Sequence, residues 1–422
     1  MQELSIPDFL HKQPVYRDIY EQYCTDASFL WLLRSIAIEQ PHYNRADIAA
    51  LEKRIDAQIN GLTSSVDIAW SICKESLELE EPGEVFTAMV VALRSHEATK
   101  IQQAVEVGLK SESNTAALIS AMGWVPSEIA GPWIDRFLNG KNMQHKLLGL
   151  AVCSIKRQDP GVLLNQIFLR QECLDYEALY ARALRLVGEL RRQDCMPVLQ
   201  AALEHENNTL RFWSNWSSVL LGNTTSLQQL KPFVFDNDSP FQQIAIQLAF
   251  RKLNIEQARL WISELANDES YQRVVIKATA ALGDPHAVNW LIQQMTKPKL
   301  AKIAAEAFVF ITGADLDKHG LVAPEPVIHP LQPDDESEND DVSLDEDENL
   351  PYPDQQKVMA LWRAHGQQFL IGQRYLLGKM ISGEWLKNVV RNGTQRHRHA
   401  AAIELALNVP NIPFPNTREK VN

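Results

Sequence analysis

Apolar positions recur along most of this chain in paired blocks with helical spacing. Between residues 86 and 315, an apolar segment, a short turn, a second apolar segment and a longer loop repeat every 29 to 35 residues. Apolar residues three and four positions apart lie on one face of an α-helix. A regular period of this length predicts helical hairpins that stack on their neighbours, an architecture that favours binding over chemistry.

The clearest repeat is the sequence YQRVVIKATAALGDPHAVNWLIQQM at residues 271–295. Its first helix should end at Gly283, because glycine there interrupts the helical pattern. Pro285 then fits the first turn of the second helix, where its missing N–H would have no intrahelical partner. The other predicted turns lie near Ser95, Trp124, Arg157, Arg192, Gly222, Asn254 and Gly313.

The two helices of each predicted repeat differ in composition. First helices carry small and aromatic residues, as in LRFWSNWSSVLL at residues 210–221, whereas second helices are more uniformly aliphatic, as in MPVLQAAL at residues 196–203. This pattern resembles the short HEAT-like repeats, and the match is best at residues 271–295. The resemblance implies an all-α fold, a right-handed α-solenoid of helical hairpins whose first helices line the concave surface.

The N-terminal stretch has helical spacing but does not follow the repeat. Asn44 with Asp47 three residues later is typical of a capped helix start. We therefore predict four regions. They are a helical N-terminal cap (1–85), the HEAT-like repeat solenoid (86–315), an acidic, proline-rich disordered linker (316–353) and a small helical C-terminal module (354–422).

The acidity of the chain is concentrated in that predicted linker. The formal net charge is −12, and residues 334–348 contain ten carboxylates and no base, so about −2 is left for the remainder. Three interpretations stay open. The run could be a solvated linker that repels itself, a segment that binds a partner, or an internal ligand that competes for a basic face at high effective concentration.

The first helices are basic, whereas the second helices have no such bias. If first helices are concave, the groove is mildly basic and suits a protein partner with acidic groups. Solvated helix faces are the alternative for the bases, and core packing is the alternative for the indoles, although aromatic anchors also concentrate binding energy at interfaces. The predicted partner-binding residues are Arg182, Arg185, Arg211, Trp213, Trp216, Arg251, Arg273 and Lys277.

Composition is that of a water-soluble protein, with 45% hydrophobic and 22% charged residues. The five cysteines have no paired spacing, which favours buried free thiols in a reducing cytoplasm over a zinc site or a disulfide framework. Neither a signal peptide nor a stretch long enough to span a bilayer is evident. A cytoplasmic location is therefore expected.

Candidate catalytic motifs are weak. Catalytic HEAT-like proteins, the deoxyhypusine hydroxylases, hold two irons with paired His-Glu dipeptides at the start of inner helices. This chain has only His96-Glu97 and His205-Glu206, and neither lies at such a position. We expect no cofactor, no metal and no enzymatic activity, with a metal-dependent enzyme on the HEAT frame as the alternative. Nucleic acid is disfavoured, because the chain lacks a general basic excess.

Three stretches, at residues 28–55, 304–316 and 372–407, are similar to a bacterial family of HEAT-like proteins without an established activity. Members of that family are sometimes encoded beside components of type VI secretion systems. The resemblance implies an adaptor, chaperone or immunity role. We therefore expect a non-catalytic interaction scaffold or adaptor that binds a protein partner along its concave face. A cognate immunity or chaperone protein for a secreted effector is the alternative.

Overall fold

The computed structural model describes residues 14–326, 346–409 and 412–421. Helices dominate these ranges, which confirms the predicted helical class. The chain divides into two compact units, each described separately below. Unit 1 comprises Met1–Glu39, Tyr43–Ala202 and Arg418–Asn422, and unit 2 comprises Gln40–His42 and Leu203–Thr417. The predicted boundaries at residues 85, 315 and 353 do not coincide with these limits and stay a prediction about repeat organisation.

Unit 1 is built from helices along almost all of its described length. The helices are α1 (Pro14–Ala37), α2 (Arg45–Leu62), α3 (Val66–Ser76), α4 (Pro82–Ser95), α5 (Ala98–Gly108), α6 (Glu112–Trp124), α7 (Ser127–Asn139), α8 (Met143–Lys156), α9 (Val162–Phe168), α10 (Gln171–Leu174), α11 (Glu177–Leu190) and α12 (Met196–Ala202). Asn44 caps α2, and Asp47 accepts the Asn44 N–H in return, so the predicted capping box is confirmed.

The first helices of unit 1 pack on one another in chain order. Helix α4 contacts α6, α6 contacts α8, and α8 contacts α11. At the N-terminal end Phe86 of α4 stacks on Trp31 of α1, with ring centroids 5.0 Å apart, and meets the edge of Trp124 at 5.4 Å. Burial of these large rings against each other supplies apolar contact area and favourable ring geometry together.

Unit 2 contains the helices of the remaining predicted repeats and the C-terminal helices. They are α13 (Asn208–Leu220), α14 (Thr225–Gln228), α15 (Lys231–Val234), α16 (Gln242–Lys252), α17 (Ile255–Leu265), α18 (Gln272–Leu282), α19 (Val288–Gln294), α20 (Pro298–Thr312), α21 (Gln355–His365), α22 (Gly383–Asn392) and α23 (Gln395–Asn408). Helix α16 contacts α18, and α18 contacts α20, as expected for stacked first helices.

Each predicted turn follows the end of a first helix. Glycine takes the left-handed cap conformation after α18 and α20, at Gly283 and Gly313. The same conformation is adopted without glycine by His96, Arg157 and Arg191, with φ of 59°, 50° and 57°. A left-handed residue after the last helical turn satisfies terminal carbonyls. These helix ends therefore adopt the same cap conformation where the usual glycine is missing.

The C-terminal region contains a hairpin that its sequence was not expected to form. Strands β1 (Tyr375–Leu376) and β2 (Lys379–Met380) pair antiparallel. Leu377 and Gly378 between them both have positive φ, at 50° and 78°. A two-residue connection with φ positive at both positions is a type I′ turn, which matches the natural twist of paired strands. The predicted module is thus helical except at this hairpin.

The hairpin lies against the ends of two first helices. Its backbone N–H groups donate to carbonyls of those helices: Tyr375 to Gly283 (2.8 Å), Leu377 to Phe310 (2.7 Å) and Gly378 to Ile311 (3.0 Å). Terminal helix carbonyls have no intrahelical donor, so the hairpin satisfies groups that would otherwise need another partner. Tyr375 also joins the buried core formed by α18, α19, α20 and α21.

The two ends of the predicted linker are held together. The Ala323 N–H donates to the Tyr352 carbonyl at 2.9 Å, and the Asp354 N–H donates to Leu321 at 2.6 Å. Leu321 is buried in the core of unit 2. The prediction of disorder for the intervening residues 327–345, with most of the acidic run, lies outside the described residues. The described flanks are ordered because they pair with each other and bury apolar side chains.

No helix in the described part of the chain is long and apolar enough to cross a membrane. All five cysteines are buried and unbridged.

Candidate functional site: a basic helix face that contacts an acidic segment

The basic face of unit 2 begins on α18. Arg273 and Lys277 are four residues apart, so both side chains lie on the same side of this helix. The neighbouring first helix, α20, contributes Lys302 and Glu306. Helices α18 and α20 are in contact. The composition of the first helices thus produces a local patch of positive charge, which we call the basic face and define by Arg273, Lys277 and Lys302.

The last part of the acidic run contacts this face. Arg273 donates to Asp347 at 2.7 Å and to Glu346 at 2.6 Å, through different guanidinium nitrogens. Lys277 Nζ donates to both oxygens of Glu346, at 2.7 and 3.0 Å. Lys302 pairs with Glu325, which lies just before the undescribed residues, at 2.7 Å. All three bases of the face therefore hold carboxylates from the chain's own loop.

A further base links this contact to α23. Arg396 donates to both carboxylate oxygens of Glu306, at 2.8 and 3.0 Å, and to the backbone carbonyl of Glu346. Burial raises the pKa of Glu306, although Arg396 opposes that effect. The bound segment is thus recognised through its backbone as well as its side chains. Neither Lys302 nor Arg396 was among the predicted partner-binding residues.

The electrostatics of the contact favour ionised groups on both sides. Burial alone would raise the pKa of Glu346, but Lys277 and Arg273 outweigh burial and lower it. Burial alone would lower the pKa of Arg273, and the two carboxylates raise it instead. The Arg273 side chain is 37% exposed and that of Glu346 is 48% exposed. Ion pairs this accessible contribute about 0.2–1 kcal/mol each, so the contact is displaceable.

Arg182 and Arg185 form a separate cluster in unit 1. Arg185 donates to Glu189 at 2.9 Å, and Arg157 lies 3.5 Å from the same carboxylate. Ser154 also donates to Glu189, whose side chain is 1% exposed. Burial would raise the pKa of Glu189, but Arg185, Arg182 and Arg157 together lower it to about 2. Burial lowers the pKa of Arg182 to about 10.

Arg251 is buried rather than exposed on a groove. Its side chain is 2% exposed, and Nε lies 3.8 Å from Glu404 of α23, which is equally buried. Burial lowers the pKa of Arg251 to about 10, with Glu404 opposing and Arg374 adding to that effect. Its predicted surface role does not fit this position. An unpaired charge is costly in a protein interior, so Glu404 is the counter-charge that permits Arg251 there.

The predicted residues on α13 also pack inward. Trp213 and Trp216 are only 8% and 5% exposed, in an edge-to-face pair with centroids 5.4 Å apart. Phe414 meets Trp216 at 6.0 Å. Arg211 folds back to donate to the His205 carbonyl at 2.9 Å. The core alternative for the two indoles accounts for these positions, because almost none of their surface is left for a partner.

The structure therefore brings the predicted residues together in three pairs, of which Trp213 with Trp216 lies in the core. Arg273 and Lys277 share Glu346, whereas Arg182 and Arg185 surround Glu189. Among the described residues, no three His, Cys, Asp or Glu side chains converge as a metal site. The His96-Glu97 pair belongs to unit 1 and the His205-Glu206 pair to unit 2. Comparisons of the chain with protein-family models, curated proteins and solved structures found no match.

Proposed function

We propose that this protein is a non-catalytic interaction scaffold on a HEAT-like α-solenoid frame, and that the basic face binds an acidic segment of a protein partner. The observation that supports this proposal is the contact of Glu346 and Asp347 with Arg273 and Lys277. The basic face holds these two carboxylates, and the adjacent Arg396 holds the backbone carbonyl of Glu346. This arrangement has the chemistry to recognise an extended acidic peptide. The acidic run of the chain then acts as an internal competitor.

The competition follows from tethering. A segment attached to the same chain experiences a high effective concentration at its binding face without any increase in intrinsic affinity. The three ion pairs of Arg273 and Lys277 with Glu346 and Asp347 each keep at least one partly exposed partner. Together they contribute about 1–2 kcal/mol, a free energy that an external acidic partner can overcome. The internal segment would thereby exclude weakly acidic proteins and admit those with a longer or denser run of carboxylates.

The test is the binding of a labelled peptide with the sequence of residues 334–348, followed by fluorescence anisotropy. Replacing both internal acids (Glu346→Gln with Asp347→Asn) should strengthen binding about 5- to 30-fold, because the face is released. Replacing both bases (Arg273→Gln with Lys277→Gln) should weaken it to a similar extent. Lys299→Gln, at an exposed lysine of α20 that is not part of the basic face, is the control for loss of one positive charge and should change little.

Salt provides the second arm of this test. Binding through exposed ion pairs should weaken steadily as ionic strength rises. Equal peptide affinities for wild type and the Arg273/Lys277 variant would overturn the proposal. Affinity purification with the Glu346→Gln/Asp347→Asn variant then distinguishes the possible roles. Several acidic partners support an adaptor, whereas one stoichiometric partner supports the immunity or chaperone alternative. The resemblance to the type VI-associated family supplies the proposal of an accessory role in secretion.

A further inference from the structure

Unit 1 contains a polar cavity that the proposed scaffold role does not use. Its volume is about 560 Å³, within the range typical of small-molecule sites. The walls come from α1 and α2, from the C-terminal ends of α4, α6 and α8, from the start of α7, and from residues 418–420. Its basic side chains are Arg34, Arg94, Lys156, Arg418 and Lys420, and its acidic ones are Asp56 and Glu419.

Three of the five bases are neutralised locally. Arg34 pairs with the buried Glu52 at 2.8 Å. Lys420 pairs with Asp56 at 2.8 Å and also lies over the Trp124 ring. Arg418 pairs with Glu39 at 2.9 Å. These pairs fix the wall of the cavity, and two of its five bases, Arg94 and Lys156, stand outside them.

Arg94 and Lys156 have only neutral partners at hydrogen-bond distance among the described residues. Arg94 donates to the Asn60 amide oxygen at 2.8 Å and to the Thr63 hydroxyl at 3.4 Å. Lys156 donates to the Val125 carbonyl at 2.7 Å. Both side chains are partly buried, and burial lowers the pKa of each. Partly buried cations are normally paired with an anion. Asp56 acts on Arg94 through space, but the hydrogen bonds of Arg94 and Lys156 described above all go to neutral groups.

Two neighbouring features fit an anion at this position. Pro126 and Ser127 at the start of α7 line the cavity, and no side chain caps that helix. The backbone N–H groups of a helix start attract negative charge. Glu419 also lines the cavity. Together with the exposed Glu128 it acts on Lys156 through space and partly opposes the lowering of the Lys156 pKa by burial, yet neither acid lies at ion-pair distance from it.

We propose that this cavity binds a small anion carrying phosphate or carboxylate groups, with Arg94 and Lys156 as its charged ligands. The guanidinium can form two parallel bonds to such a group, and the ammonium adds a point charge. Glu419 lowers the affinity because it places a like charge beside the ligand. The C-terminal residues thus form the wall of the site and also modulate its charge.

Isothermal titration of the full-length protein with inorganic phosphate, pyrophosphate and citrate tests this site. Tighter binding of pyrophosphate than citrate identifies a phosphate ligand, and the reverse order identifies a polycarboxylate. Arg94→Gln and Lys156→Gln should each weaken binding at least about tenfold, since each removes a charge-assisted bond. Lys141→Gln, at an exposed lysine before α8, is the matched control and should bind as wild type.

Glu419→Gln tests the anion site independently if Arg94→Gln or Lys156→Gln folds poorly. It removes a negative charge from the cavity wall, so it should strengthen anion binding about 3- to 10-fold. Thermal melting without ligand verifies that each variant is folded, and added anion should raise the melting temperature of wild type more than that of Lys156→Gln. Dissociation constants weaker than about 1 mM for all three anions would overturn the proposal. So would equal affinities for wild type, Arg94→Gln and Lys156→Gln.

Discussion

At the scale of single residues, unit 1 contains a buried ion cluster in addition to the charged groups that line its cavity. Glu189 is almost inaccessible, yet three arginines surround it. Desolvation of a lone carboxylate would favour its protonated form, and the arginines reverse that preference. The sequence showed Arg182 and Arg185 as bases on a first helix, but it could not reveal that Glu189, one turn after Arg185, turns the same patch into a buried ion cluster.

Glu189→Gln is expected to destabilise the protein by about 3–5 kcal/mol near neutral pH, because it leaves three arginines without their buried counter-charge. The folded-state pKa of Glu189 is about 2, below its ordinary value of 4.5. Its contribution, about 3 kcal/mol, is therefore fully present above about pH 4.5 and is lost as pH falls towards 2. Urea unfolding of wild type and variant across this window measures it.

The difference in unfolding free energy between the two proteins should narrow as the pH is lowered. Glu177→Gln, at an exposed position in the first turn of the same helix, should cost no more than about 1 kcal/mol. A gap between wild type and Glu189→Gln that stays constant from about pH 6 to about pH 3 would contradict the assigned ionisation.

At the scale of elements, periodicity predicted where the first helices end but not what packs against those ends. Gly283 and Gly313 were expected to terminate helices, and both do so. Their second role was invisible, because the hairpin residues that contact them, Tyr375 and Leu377, lie 92 and 64 positions later in the chain. Leu377 with positive φ is also unusual for a branched residue. Such a turn depends on tertiary hydrogen bonds that a local pattern does not encode.

Gly283→Ala is expected to destabilise unit 2 by about 3 kcal/mol. An added Cβ would meet the Tyr375 carbonyl oxygen, and the left-handed backbone itself costs about 1–2 kcal/mol for a residue other than glycine. Gly222→Ala is the matched control, since Gly222 also has positive φ, 99°, but open space around it. Gly222→Ala should therefore lower the unfolding free energy only by the cost of the left-handed backbone. Equal losses in thermal or denaturant unfolding would show that the hairpin does not constrain Gly283.

At the scale of the whole molecule, the sequence located the charges but not their partners. Concentration of the acidic residues in one run was evident, and so was the basic character of first helices. One of the three interpretations, docking within the chain, agrees with the contacts of Glu346 and Asp347. The pairing of Arg251 with Glu404 could not be read from the sequence, because residues 153 positions apart become neighbours only through folding.

Arg374 connects the repeat helices of unit 2 with its C-terminal helices. Its guanidinium donates to the Leu282 carbonyl at 2.9 Å, to the Arg251 carbonyl at 2.6 Å and to the buried Glu404 carboxylate. Removing one partner of a buried ion pair leaves the other charge uncompensated. The sequence predicted a separate C-terminal module, whereas these contacts make the stability of the two regions interdependent.

Arg374→Gln should therefore lower the unfolding free energy of unit 2 by about 3–5 kcal/mol. Arg363→Gln, at an exposed arginine of α21, is the control and should leave that free energy nearly unchanged. Hydrogen exchange locates the effect. If the regions are coupled, amides near the end of α18 and amides of α23 lose protection together, because one side chain holds both. A loss of protection confined to α22 and α23, with α18 unchanged, would instead support the separate C-terminal module that the sequence predicts.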